Sequence, residues 1–185
     1  MSKLSFRGKI LLMLATALVA LLFMAVSSLL QQRSQIIESR RELLTTAVQS
    51  AHSIVASYQA KAASGAMPVE EAQKAAKDAL RVSRFGGPEG KTEYFYIWVL
   101  DSNGVKHPIK PEWEGQDMAG KVKDGAGTDI LKQISTALNA SSNGRVFVPT
   151  MFARPGSQSL VPKLQYVIRV DGWNWMVGSG LYTDD

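Results

Sequence analysis

Tyr94, Tyr96 and Trp98 stand at every second position of the stretch "EYFYIWV". In an extended strand, side chains two apart point the same way, so these three share one face. Each has a polar tip on an apolar ring. Such a wall can grip a small molecule and leave the tips to hydrogen-bond it. The same spacing also suits an aromatic core with satisfied hydroxyls, and the residues alone leave both readings open. Lys163, in "PKLQYV", is the second candidate. Beside a pocket its ammonium could pair with a carboxylate, a strong charge-assisted hydrogen bond; otherwise it is a solvated lysine at a strand end. Tyr166 lies three residues on, so a regular strand would turn it to the opposite face from Lys163. Both reach one ligand only across a bulge or a strand end. His107, in "KHPI", can donate to a carboxylate or sense pH, or can be structural before its proline. Arg84, just before "FGG", offers a guanidinium fork for a carboxylate.

No catalytic constellation accompanies them. The chain has no cysteine, which removes disulfides, thiolate nucleophiles and cysteine metal sites. His52 and His107 have no spacing that suggests cooperation, and His52 has no second ligand near it, so no metal site is expected. "VGSGLY" places a serine between glycines, but a nucleophile elbow must lead into a helix, and strand residues follow here. The residues therefore point away from an enzyme, and no cofactor is expected. Nucleic acid is set aside as well. Of the net charge of +5, three units come from Lys3, Arg7 and Lys9. The +2 left over is spread along the chain and forms no basic stripe.

The elements that must position these residues begin in a membrane. Between Lys9 and Arg33 runs "ILLMLATALVALLFMAVSSLLQQ", without a charge. As a helix it would span about 34 Å, enough for a bilayer core. The basic flank before it predicts a cytoplasmic N-terminus (1–9), an anchor over 10–32, and an extracytoplasmic domain over 33–185 on the far side of the inner membrane. A cleaved signal peptide is the competing account. It would need a shorter apolar core and a better cleavage site than Ala25-Val26-Ser27.

Past the anchor the apolar spacing keeps its phase. Leu30, Ile37, Leu44, Ala51 and Tyr58 fall seven apart, with Val48, Val55 and Ala62 four after three of them. Neither Gly nor Pro interrupts residues 10–64, so one helix is expected to reach Ser64. Its distal half should lie on the domain's own sheet. Its proximal half, near Leu30 and Ile37, predicts a partner helix and hence a homodimer. Pro68 opens a second helix to about Val82, with Glu70 and Glu71 at its positive end.

The stretch "TEYFYIWVLDSNGVKHPI" reads as a hairpin turning at Ser102-Asn103-Gly104. Phe95, Ile97 and Val99 then form the face opposite the aromatic wall. Residues 110–129 read as a long binding loop or lid, and Thr128 as the N-cap of a helix over about 129–140. Three strands follow, "RVFVPTMF", "KLQYVIRV" and "NWMVGSGLY", separated by "RPGS" and "DGWN". Trp173 and Trp175, flanking the last turn, read as packing residues. The class is α+β: about five antiparallel strands with a long helix across one face.

These motifs in this order, "EYFYIWVLDSNGVKHPIKPEWEGQDM", "DGAGTDILKQI", "RPGS", "VPKLQYV" and "GWNWMVGSGLYTDD", resemble the single Cache sensor domain, second type, of bacterial chemoreceptors and sensor kinases. The likeness covers about 33–185. It implies a PAS-like antiparallel sheet backed by the long N-terminal helix. It also implies a pocket on the other face, often for short-chain carboxylates, and a second membrane helix directly after the terminal "Y-x-D-D", to which the last strand hands a displacement. Asp184 and Asp185 would mark that membrane boundary. This chain stops there, which fits a fragment, a truncated product or a stand-alone sensor. It departs from the family pattern at Thr150, Met151 and Phe152, where many relatives read Tyr-x-Trp, and at Trp98, where many carry Asn. Thr150, Phe152 and Trp98 would face or border the pocket.

Two functions follow from the sequence. The first is a periplasmic sensor of a small carboxylate, serving chemotaxis or another transmembrane signal. The second is a ligand-free anchored interaction partner that modulates full receptors or kinases.

Overall fold

The computed structural model describes residues 5–87, 89–90, 92–100, 104–107, 110–154 and 157–184. Lys3 of the basic flank, Ser102 and Asn103 of the expected hairpin turn, the middle of "RPGS" and Asp185 lie outside the described residues. By internal contacts the chain forms two compact units, Met1–Arg41 and Glu42–Asp185.

The long helix is α1, Phe6–Ala63. In the first unit it carries a segment long and apolar enough to cross a membrane. Leu30 and Ile37 of its apolar stripe are exposed there. In the second unit the stripe is buried, at Leu44, Val48, Ala51 and Val55. These follow at intervals of four, three and four, the spacing of one helical face. Gly65, at φ 74°, closes the helix in the left-handed conformation that glycine reaches without strain. α2, Val69–Arg81, has Pro68 before its first turn, which carries Glu70 and Glu71, and buries Ala72, Ala76 and Leu80.

The strands are β1 (Arg84–Phe85), β2 (Glu93–Tyr94), β3 (Tyr96–Val99), β4 (Gly104–Lys106), β5 (Arg145–Ala153), β6 (Leu160–Val170) and β7 (Trp175–Tyr182). Five of them form one sheet in the order β4-β3-β7-β6-β5, every pairing antiparallel, and β1 pairs with β2 beside it. The expected first strand is thus split at Phe95. Tyr94 pairs with Arg84, and its carbonyl accepts the Ser179 hydroxyl at 2.6 Å. β3 then enters the main sheet alongside β7.

Alternation sorts the side chains into two layers. Phe95, Ile97, Ile168, Val170, Trp175 and Val177 pack with the buried stripe of α1 and with Ala76 and Leu80 of α2. Tyr94, Tyr96, Trp98, Val148, Val167 and Met176 pack on the other side with α3, Ile130–Ala140. α3 buries Ile130, Leu131, Ile134 and Leu138 against that face. Its N-cap is Asp129, one residue beyond the expected Thr128. One Asp129 carboxylate oxygen accepts from the Lys132 amide at 3.1 Å, and the other from Gly120 at 2.7 Å. A carboxylate can serve two amides where a single hydroxyl serves one. The same bonds tie down the segment 110–129. That segment holds a short 3₁₀ turn, Pro111–Trp113, and buries Met118 and Val122 against the aromatic layer.

Candidate functional site

The layer opposite α1 encloses a small cavity. Tyr94, Tyr96 and Trp98 form one wall, Lys163 and Gln165 of β6 another, with Phe152, His107 and Trp113 beside them. Val122 and three α3 residues, Ile130, Leu131 and Ile134, close it. The space a water centre can visit inside is ≈ 30 Å³. That admits about two water-sized groups.

One charge dominates the interior. The Lys163 ammonium lies 4.5 Å from the ring centroid of Tyr182, 5.0 Å from that of Tyr94 and 5.7 Å from that of Phe152. The residue is buried, and among the described residues no carboxylate forms an ion pair with it. Burial pulls its pKa down to about 8, against the opposing pull of Glu93 and with help from Arg154. Ring faces are negative, so the three aromatics stabilise the cation in part. They supply no counter-charge.

Two glycines make room for this arrangement. Lys163 faces Tyr182 and Gln165 faces Gly180 across the β6–β7 ladder. A Cβ on Gly180 would come within 2.6 Å of Lys163 Cε, and one on Gly178 within 2.6 Å of the Tyr96 ring. "GSG" thus lets two cavity side chains lie flat across β7, while Ser179 between the glycines holds the carbonyl of Tyr94.

Three uncharged polar side chains are committed to one another. The Tyr96 hydroxyl donates to Gln165 Oε1 at 2.6 Å, Gln165 Nε2 donates to Thr150 Oγ1 at 3.1 Å, and the Thr150 hydroxyl donates to the Lys163 carbonyl at 3.1 Å. This chain fixes the wall around the ammonium without touching its charge. Burial pushes the phenols of Tyr94 and Tyr96 up, so both stay protonated donors. The His107 ring lies 5.4 Å from Tyr94, 6.2 Å from Trp98 and 5.1 Å from Trp113. Its Nδ1 accepts from the Lys110 amide at 3.1 Å, which leaves the proton of the neutral ring on Nε2.

Of the residues singled out in the sequence, Tyr94, Tyr96, Trp98, His107, Phe152 and Lys163 line the cavity, and Thr150 braces it through Gln165. Two, expected at the site, lie elsewhere. Tyr166 belongs to the α1 side, its ring 4.4 Å from Phe147, because β6 stays regular and turns even-numbered residues away from Lys163. Arg84 bonds the carbonyls of Arg81 and Ser83, so its guanidinium is spent on the end of α2. Gln165 and Trp113 went unnoticed. Gln165 was accessible from alternation, two residues after Lys163; Trp113 had no signal beyond its place in the long loop. His52 binds the Arg169 carbonyl, and Trp175 is core with Trp173 packed on it.

A family model for the single Cache domain, type 2, matches residues 36–185. The chain belongs to that family. It is 27% identical over 174 residues, 94% of its length, to the methyl-accepting chemotaxis protein McpP of Pseudomonas putida. It is 26% identical over 96 residues, 52% of its length, to the sensor histidine kinase MctS of Rhizobium johnstonii. The chain spans 31% of the first relative and 20% of the second. A solved periplasmic sensor domain of a chemotaxis protein superposes with TM-score 0.72 at 34% identity, covering 80% of this chain and 98% of that one. A Cache chemosensory domain solved to explain its carboxylic acid recognition superposes with TM-score 0.72 at 29% identity, covering 82% and 98%. The α+β fold, with its antiparallel sheet and long N-terminal helix, is therefore that of Cache sensor domains. Residues 36–185 are thus a Cache sensor domain.

Proposed function

We propose that this Cache domain senses a short-chain monocarboxylate, held by its carboxylate on Lys163 within the ring of Tyr94, Phe152 and Tyr182. One observation carries the reading: a buried ammonium faces a cavity and lacks a carboxylate partner among the described residues. Burying an unpaired charge is unfavourable, and an anion that supplies the missing charge is bound in proportion. The cavity limits the rest of the ligand to a methyl, ethyl or similarly small group beside Trp98 and Ile134. Tyr94 is the further donor we assign to the carboxylate, with the His107 ring beside it.

In this reading residues 10–32 anchor the chain in the bacterial inner membrane with the N-terminus in the cytoplasm. Residues 33–185 face the periplasm, and the exposed Leu30–Ile37 stripe pairs with a second copy. The signal serves chemotaxis or a kinase, as in the relatives.

A thermal-shift screen of the full chain in detergent micelles tests the ligand. Acetate, propionate, pyruvate and lactate are compared with longer and dicarboxylic acids. A ligand at 100 times its dissociation constant adds about 2.7 kcal/mol. Stabilisation by one or more of the four small acids, lost in Lys163→Met, is expected. No shift with any of them sinks the carboxylate reading.

A further inference from the structure

Tyr182 ends β7 directly across from Lys163. Its ring is shared by two cations: Lys163 Nζ at 4.5 Å from the centroid and Arg154 Cζ at 4.4 Å. Arg154 in turn holds Asp184, its Nη2 donating to the carboxylate at 2.7 Å. The Tyr182 hydroxyl donates to the Ala153 carbonyl at 2.7 Å, and the Thr183 amide to the Pro162 carbonyl at 2.9 Å. Residues 182–184 are thus fastened to the β5–β6 hairpin at several points. One of those points, the Tyr182 ring, is also a seat of the Lys163 ammonium.

Two cations on one ring attract the ring and repel each other. An anion that pairs with Lys163 neutralises one of them. The repulsion on Arg154 then falls, and the ring is left to Arg154. We propose that Tyr182 is a positioning residue that links the cavity to residues 182–184: neutralising Lys163 tightens the Arg154–Tyr182–Asp184 clasp. The physiological trigger rests on the carboxylate reading above, but the link itself is electrostatic and works with any event that removes the Lys163 charge. Such a link is reciprocal, so whatever loosens the clasp also weakens the hold on the anion.

The Thr183 amide reports on the clasp. In the full chain, labelled with [15N]threonine in detergent micelles, its exchange can be read by magnetisation transfer from water. Raising the pH from about 7 to about 9 carries Lys163 through its lowered pKa of about 8. Glu93 and Arg154 act on its charge, and Tyr94, Tyr96, His107 and Tyr182 stand around it, so Lys163→Met is run in parallel to isolate the lysine. After correction for intrinsic exchange, Thr183 protection is expected to rise about fivefold. The rise should vanish in Lys163→Met and in Tyr182→Leu, and persist in Tyr182→Phe, which keeps the ring but drops the bond to Ala153. A merely structural Tyr182 would lose the rise in both tyrosine variants or in neither. No rise in the wild type, or an equal rise in Lys163→Met or Tyr182→Leu, overturns the link.

Small acids provide the second arm at pH 7. Any of the four that raises the melting temperature should also raise Thr183 protection. An acid that stabilises the protein without changing Thr183 overturns the link and leaves the carboxylate reading standing. If no acid stabilises the protein, that reading falls, and the pH arm decides the link by itself.

Discussion

The two faces of the sheet are built from the same strands and do opposite work. On the α1 side, Ile97, Ile168, Val177, Leu44, Val48 and Leu80 are apolar and fully or nearly fully buried. Such a layer gains free energy in rough proportion to the area it removes from water, and it asks little of side-chain direction. On the cavity side, one residue over along the same strands, stand Tyr96, Trp98, Gln165 and Lys163. There the Tyr96, Gln165 and Thr150 side chains hydrogen-bond one another, and Lys163 is the buried charge beside them. The first face carries the apolar burial, and the second carries the polar groups on which the proposed recognition rests. A buried lysine is affordable on the second because the first is dense.

The largest effect should come from breaking the apolar face. Ile97 is fully buried between β7 and α1. Ile97→Ala is expected to lower unfolding free energy by about 2–5 kcal/mol, from lost burial plus the cavity left behind. Chemical denaturation of the full chain measures it. If the two faces are separable, the folded fraction keeps its affinity for whichever acid binds the wild type. A parallel loss of affinity would mean that the faces are not separable.

Lys163→Met is the complementary break. Acid binding should fall by at least about 100-fold, because the anion loses its counter-charge. Stability without ligand should rise instead, by about 2–3 kcal/mol near neutral pH, since the unpaired buried ammonium is gone. The wild type carries the same information in its pH dependence. The Lys163 pKa is about 8 in the folded chain, against 10.5 for an ordinary lysine. Between those values the unfolded chain binds more protons, so stability rises as the pH climbs through that window. The buried phenols, raised above 10, work against it beyond pH 10. Carboxylate affinity should fall above pH 8 as the ammonium is lost. A Lys163→Met variant that is neither stabilised nor free of the alkaline slope would refute the charge assignment.

A smaller effect separates space from charge. Gly180→Ala puts a methyl against Lys163 Cε and 3.1 Å from the Leu164 carbonyl, which is backbone and cannot swing away. About 1–2 kcal/mol of destabilisation is expected from overpacking. Affinity should fall by about tenfold as the lysine stem shifts. Isothermal titration of the variant with the best-binding acid checks this; unchanged affinity would mean that the lysine stem has another place to lie.

How much of this was legible follows the same division. The α1 face could be read almost whole, because burial by helix and strand periodicity is a local property. Leu44, Val48, Ala51 and Val55 follow one face, and Phe95, Ile97 and Val99 alternate with Tyr94, Tyr96 and Trp98. The cavity face was legible in its residue types but not in its wiring. Period two implied that Gln165 accompanies Lys163 and that Tyr166 does not. Nothing local could tell that Gln165 would take the Tyr96 hydroxyl, since the two are joined only when β3 and β6 flank β7. Arg84 read as a carboxylate fork because its type allows it; in the fold its own neighbours' carbonyls occupy it. The split at Phe95 was hidden for the same reason, since it depends on Ser179, which comes from β7. The cap moved from Thr128 to Asp129 because the carboxylate also serves Gly120, a contact that exists only once the loop has folded back.

The smallest effect sharpens the comparison from the acid side. His52 sits on α1, on the apolar face, with Nε2 against the Arg169 carbonyl at 3.2 Å. Burial lowers its pKa below 6.5, and the bond to Arg169 only partly offsets that. Below pH 6.5 the unfolded chain therefore binds the extra proton first, and stability falls as the pH drops. Lys163 stays protonated throughout that range, so its charge contributes no change in carboxylate affinity between about pH 5.5 and 7 while stability declines. His52→Gln can keep a donor for the Arg169 carbonyl and has nothing to titrate, so it should flatten the acid limb of the stability profile and leave the alkaline limb intact. Lys163→Met should do the reverse. Denaturation midpoints of the two variants across pH, read against the wild type, either assign one limb to each face or show that the faces titrate together.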